Sequence, residues 1–153
     1  MNDKRLAVVV ADFNRRLVDA MLRSAEDEAA KLGARVIATV RVPGSYETPL
    51  AADALFRRAD VAALVVLGYI ERGETLHGEV MGHVVHRALL DASLRYEKPV
   101  GFGFIGPGAT ARDAEKRKDD YARAAVRAAV RMLDVLPEIA SSKRKGGARR
   151  RRG

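Results

Sequence analysis

The chain has 153 residues, an apolar fraction of 48%, no cysteine and a formal net charge of +8. That length fits one domain with a proper core, and the lack of cysteine excludes a disulfide framework, thiolate metal sites and thiol nucleophiles. No apolar run approaches the roughly 18 to 20 residues of a membrane span, and residues 1–5 lead into a strand without a signal-peptide layout, so a cytoplasmic protein is expected.

The charge is concentrated at one end. Lys143, Arg144, Lys145, Arg149, Arg150, Arg151 and Arg152 supply seven of the eight net charges, which leaves residues 1–142 at +1. The same stretch holds Ser141, Ser142, Gly146 and Gly147 and no apolar residue larger than alanine. Residues 141–153 are therefore expected to be a disordered basic tail behind a domain at 1–140. Such a tail could gather nucleic acid non-specifically by counterion release.

In chain order, the apolar run 6–11 predicts a central buried strand. Asp12-Phe13-Asn14 ends it, with Asn14 as a plausible N-cap. Residues 15–32 keep near-helical apolar spacing, and Gly33 is a good C′ stop. A second strand is predicted over 35–42, broken by Pro43-Gly44-Ser45. A helix follows over 46–58 with Pro49 in its first turn. Residues 61–67 are a third buried strand. A glycine-bracketed turn from Gly68 leads into a helix over 76–96. A fourth strand spans 100–105, Gly106-Pro107-Gly108 is a tight turn, and two helices cover 110–117 and 119–136 ahead of Pro137. Alternating strands and helices predict an α/β fold: a three-layer α/β/α sandwich around a four-stranded parallel sheet in flavodoxin-like order 2-1-3-4. Arg123, Arg127 and Arg131 recur every four residues on the last helix, as a solvated face or a subunit interface.

In a parallel sheet the carboxyl ends of the strands share one edge, where ligands bind. Strand one delivers Phe13, a flat aromatic. Strand two delivers Ser45, Tyr46 and Glu47. Strand three delivers the stretch Gly68 to His77, where a helix start offers unpaired amides and a positive dipole end to a phosphate. An imidazole there, His77, can act as an acid or base near neutral pH. Strand four, one short helix later, delivers Arg117, a guanidinium suited to a phosphate. His83 and His86 lie three apart on the same helix, but His77 is about 240° from His83 at ~100° per residue, so no shared metal site is expected. Walker, GxGxxG and GxSxG motifs are all missing.

Phe13-Asn14, Val42-Pro43-Gly44-Ser45-Tyr46-Glu47-Thr48-Pro49-Leu50 and Arg72-Gly73-Glu74-Thr75-Leu76-His77 fall in the order and spacing of the lumazine synthase family. The resemblance covers about residues 6–136, and the turn Gly106-Pro107-Gly108 resembles the archaeal branch. It implies condensation of 5-amino-6-(D-ribitylamino)uracil with 3,4-dihydroxy-2-butanone 4-phosphate to 6,7-dimethyl-8-ribityllumazine, without metal or organic cofactor. It also implies roles by position. Phe13 would stack on the pyrimidine, and Ser45, Tyr46 and Glu47 would hold the ribityl chain. Tyr69, Ile70 and Glu71 would line the pyrimidine site largely through backbone. Glu74 and Thr75 would contact the phosphate at the helix start, and His77 would be the general acid/base. Phe102, placed at the end of strand four, and Arg117, the phosphate clamp, would come from a neighbouring subunit of a pentamer or a 60-subunit shell. Glu71 stands where bacterial members usually carry an apolar residue, and Lys116 and Lys118 flank Arg117. The competing functions are a riboflavin synthase of archaeal type, which dismutates two lumazines, and a shell-forming scaffold without activity.

Overall fold

A computed structural model describes residues 3–149, and side chains up to residue 142. Four strands, β1 (Arg5–Ala11), β2 (Arg35–Val42), β3 (Ala63–Glu71) and β4 (Val100–Ala109), form one parallel sheet in the order β2-β1-β3-β4. Helices α1 (Arg15–Lys31), α2 (Thr48–Phe56), α3 (His77–Tyr96) and α4 (Ala111–Arg149) connect and cover it. The expected α/β sandwich and strand order are those observed.

Side-chain alternation along the strands splits the core in two, because successive residues of a strand face opposite sides. Leu6, Val8, Val10, Val65, Leu67 and Ile105 meet α1 and α4 through Val18, Met21, Val126 and Val130. Ala7, Val9, Leu64, Val66, Ile70 and Phe104 meet α2 and α3 through Leu55, Phe56, Val85 and Leu89. Strands buried on both faces read as continuous apolar runs, which is why β1 and β3 stand out in the sequence.

Three elements differ from the sequence-based expectation. Gly68 to Glu71 continue β3 instead of turning, and Gly106-Pro107-Gly108 lies within β4. The two strands stay paired past the glycines, with Tyr69 opposite Ile105 and, after a register shift, Glu71 opposite Ala109. Gly106 is required there: its φ is +94°, and a Cβ would lie 2.1 Å from the Ile70 carbonyl oxygen. The two helices expected after β4 are one, since Ala114, Ala122, Ala125, Val126, Ala129 and Val130 form a single buried stripe and Pro137 lies inside the helix. The stretch 46–58 opens with a 3₁₀ turn, Ser45–Glu47, before α2 begins at Thr48. Asn14 does occupy the N-cap position of α1, in a left-handed conformation (φ 55°), but its side chain caps nothing; its carbonyl accepts from the amides of Leu17 and Val18. Of the expected tail, residues 141–149 continue α4, and residues 150–153 lie outside the described residues. Arg127, on the basic face of α4, pairs with Glu28 of α1 at 2.8 Å.

Helix α4 lies almost on the backbone of β4. A Cβ on Gly101 would stand 2.0 Å from the Ala125 carbonyl oxygen. Gly101→Ala must therefore push α4 outward, and a loss of about 1–3 kcal/mol is expected, the usual cost of overpacking. A chemical-denaturation midpoint equal to the wild type's would contradict this packing.

On the other face Asp53 of α2 ties α2 to α3. It accepts from the Tyr96 hydroxyl at 2.9 Å and pairs with Arg57 at 2.7 Å and Arg95 at 3.3 Å. The Tyr96 hydrogen bond first, then Arg57, holds the carboxyl below the ordinary aspartate value of 3.8. A depressed native value stabilises the fold above the unfolded-state value, and that contribution is lost as pH falls through the native one. The wild type should therefore lose its stability margin over Asp53→Asn as pH drops below 3.8. A margin that stays constant across that range in paired thermal melts would refute the coupling.

Candidate active site

The carboxyl ends of β1, β2 and β3 converge on a cleft of about 410 Å³ lined by Phe13, Pro43, Gly44, Ser45, Tyr69, Ile70, Glu71, Gly73, Thr75, His77, Gly78 and Met81. A second cleft of about 320 Å³ adjoins it. It shares Glu71, Gly73, Thr75 and Gly78 and adds Arg72, Glu74, Leu76, Glu79 and Gly108. The two follow from topology. Parallel strands bring every strand-to-helix junction to one edge, and α3 starts there, between the clefts.

Each wall has a local cause. Phe13 sits in the three-residue link between β1 and α1, is 48% exposed, and stands with its ring centroid 6.1 Å from that of Tyr69. Tyr69 itself is buried, and its hydroxyl donates to the Ala109 carbonyl at 3.2 Å. Burial, with Glu71 and Asp113 nearby, pushes its phenol up, so it stays neutral. Tyr69 and Ile70 turn their side chains to opposite cores and offer the cleft mainly backbone, whereas Glu71 is exposed. Beyond β2, Ser45 is buried, and its carbonyl accepts from the Thr48 hydroxyl at 2.7 Å, which fixes the turn.

The start of α3 is pressed against the end of β3. A Cβ on Gly78 would come within 2.9 Å of the Glu71 carbonyl oxygen, so no side chain separates the helix end from the cleft floor. A helix start leaves its first amides without intrahelical partners. Among the described residues the amide of His77 has one acceptor, the Thr75 hydroxyl oxygen at 3.3 Å. The dipole end and these amides favour an anion. The His77 ring is exposed and meets Tyr46 edge-on, with centroids 6.0 Å apart. The imidazole thus lines the aromatic-walled cleft, while the adjoining cleft is reached through Thr75 and Gly78 on either side of it, which line both.

The structure brings Phe13, Ser45, Tyr69, Ile70, Glu71, Glu74, Thr75 and His77 to the paired clefts, with Tyr46 beside His77. Glu47 is exposed next to Gly44 and lines neither cleft. Two residues stand apart. Phe102 is the third residue of β4, not its last, and its ring stacks on His86 with centroids 5.6 Å apart and an interplanar angle of 17°. It faces the α3 layer because side chains alternate along a strand, which puts it on the same side as Phe104 two residues on. Arg117 lies on α4, is exposed, and pairs with Asp113 of its own helix at 3.2 Å. Of its neighbours, Lys118 is tied to Glu115, while Lys116 is exposed.

Met81 and Gly78 were not singled out from the sequence. Met81 follows His77 by four residues, so helical spacing alone places it on the same wall. His86 is held by Nδ1 lying 2.7 Å from the Gly82 carbonyl oxygen, and His83 stands 3.8 Å from Glu79. Among the described residues no group of three or more His, Asp or Glu is placed to hold a metal ion, and no helix is long and apolar enough to cross a membrane.

Comparison with known proteins identifies the family. The family model described as 6,7-dimethyl-8-ribityllumazine synthase matches residues 3–137. A protein of that name from Methanococcus maripaludis is 43% identical over 135 residues, covering 88% of this chain and 98% of its own length. Those from Staphylothermus marinus (40% over 139 residues, covering 91% of this chain and 93% of its own length) and Methanopyrus kandleri (42% over 139 residues, covering 91% and 98%) are similar as well. The chain belongs to the 6,7-dimethyl-8-ribityllumazine synthase family, transferases of riboflavin biosynthesis.

Proposed function

We propose that the protein condenses 5-amino-6-(D-ribitylamino)uracil with 3,4-dihydroxy-2-butanone 4-phosphate to 6,7-dimethyl-8-ribityllumazine. The observation that carries this reading is the pair of adjoining clefts at the start of α3, with His77 lining the first and Thr75 and Gly78 lining both. The aminouracil ring lies against Phe13, with the backbone of Tyr69, Ile70 and Glu71 along its polar edge and its ribityl chain toward Ser45, Tyr46 and Glu47. The phosphate sits at the start of α3 beside Glu74 and Thr75, where Arg72 of the same cleft and Arg117 of a second copy oppose the Glu71, Glu74 and Glu79 carboxylates.

The primary amine of the uracil adds to the ketone carbonyl, and loss of water leaves an imine. Removal of a proton from the neighbouring carbon expels phosphate. The enol left behind takes a proton at its terminal carbon and becomes a ketone, which the ribityl-bearing amine attacks to close the ring with loss of a second water. Every step moves a proton, and His77 is the group placed to take and return it. Fixing both substrates side by side lowers the barrier further, since it replaces a bimolecular encounter by an intramolecular one.

A second copy of the chain completes the site. Phe102 and Arg117 stand away from the clefts of their own subunit, so both reach substrate only across a boundary. The apolar side chains exposed on α3, Val80, Val84, Leu90 and Leu94, support such an assembly, a pentamer or a shell of pentamers. Exposed apolar surface of this kind marks interaction sites. The work is done in the cytoplasm.

The test is to mix both substrates with the protein and follow phosphate release and lumazine absorbance, then to offer lumazine alone. Stoichiometric phosphate and lumazine are expected from the first mixture and no change in the second. Riboflavin formed from lumazine alone, or no phosphate release, would reject the reading.

A further inference from the structure

We propose that Arg41 is a positioning residue that sets the spacing between Phe13 and the turn at residues 43–47, and so tunes recognition of the aminouracil. The inference rests on the reading of the cleft given above. Arg41 lines neither cleft. Its Nη1 donates to Asp12 Oδ1 at 2.6 Å and its Nη2 to Asp19 Oδ1 at 2.5 Å. Asp12 is the residue immediately before Phe13, and Asp19 lies one turn into α1. Arg41 itself sits two residues before Pro43, where β2 becomes the Pro-Gly-Ser turn.

One guanidinium therefore joins three pieces of chain: the end of β2, the β1–α1 link and the first turns of α1. The β1–β2 ladder runs as far as Ala11 opposite Val42, and beyond it the Asp12 amide donates to the Val42 carbonyl at 2.9 Å, so in the link itself it is the side-chain fork that reaches on to α1. The other cation near Asp12, Arg15, stands 4.0 Å from it and is more exposed. The link needs holding. It is only three residues long, Asn14 within it is left-handed at φ 55°, and no side-chain cap anchors the start of α1. Arg41, Asp12 and Asp19 are all partly shielded, with side-chain exposures of 29%, 26% and 35%. A planar fork with donors at fixed angles can hold two carboxylates at once, which a lysine ammonium cannot do with the same geometry.

Because the clamp faces only the aminouracil half of the site, its loss should separate the two substrates. Arg41→Met keeps the aliphatic stem and removes the fork. It is expected to raise KM for the aminouracil about three- to tenfold, up to the worth of an aromatic stacking contact, while KM for the butanone phosphate and kcat stay within about twofold. In a Phe13→Ala background the same change should raise KM by less than about twofold, since the part it positions is gone. Asp19→Asn, which spares the Asp12 contact, should act in the same direction and less. Hydrogen exchange at residues 12–14 reads the clamp without turnover, and it should quicken in Arg41→Met with residues 6–10 unchanged. Equal effects on both substrates, full additivity with Phe13→Ala, or unchanged exchange at 12–14 would each overturn the proposal. A wild-type protein that fails to condense the two substrates would instead reject the reading of the cleft, and the exchange measurement would still decide the clamp.

Discussion

His77→Ala is expected to lower kcat by about 10²–10⁴-fold, the usual worth of a positioned acid/base, and to leave residual turnover well above the uncatalysed rate. The ring stands at the first residue of α3, edge-on to Tyr46, at the mouth of the cleft. It is exposed, so water can take over part of its proton traffic once it is gone. The clefts themselves remain, and their hold on both substrates continues to contribute. Single-turnover kinetics under saturating substrate check the size of the loss, and an alanine variant that works at full speed would remove His77 from the mechanism.

Arg117→Ala is expected to act on the other substrate. A charge-assisted pair with a phosphate is worth roughly 1.5–3 kcal/mol, which corresponds to a rise of about 10- to 100-fold in KM for the butanone phosphate. Little change in KM for the aminouracil is expected, because Arg117 lines neither cleft of its own subunit and meets only the phosphate in the proposed reading. Lys118 is held by Glu115, so it does not substitute. Steady-state kinetics on Arg117→Ala and Lys116→Ala check this. A normal KM in the first with a raised one in the second would move the clamp by one residue.

The legible parts of the molecule are those in which one stretch of sequence carries its own reason. The runs that became β1 and β3 are apolar on both faces because helices cover both sides of the sheet. Gly33 stops α1 as expected, with φ +67° just after the helix. The ends of β3 and β4 were harder, because Gly68 and Gly106-Pro107-Gly108 look like breaks. What keeps the ladder intact is tertiary: the Phe104 ring fills the space above Gly68, where a Cβ would meet it at 2.7 Å. The single helix α4 was hidden for a related reason, since only its contact with β4 shows that one stripe runs through residue 118.

The same distinction applies to the site. Parallel topology brings Phe13, Ser45 and His77 together, so the order of strands was enough to group them. The Arg41 clamp spans 29 and 22 residues of sequence and has no local pattern to betray it. Phe102 and Arg117 are a further step removed, for in the proposed reading their place in the reaction depends on a second copy of the chain.

That dependence offers the most direct trial. His77→Ala and Arg117→Ala subunits, each nearly silent under low butanone phosphate, can be co-expressed and assayed as mixed oligomers. Random pairing would reunite an intact His77 with an intact Arg117 in roughly one site in four. The account predicts lumazine formation well above the sum of the two parents; activity no greater than that sum would show that each chain carries a whole site of its own.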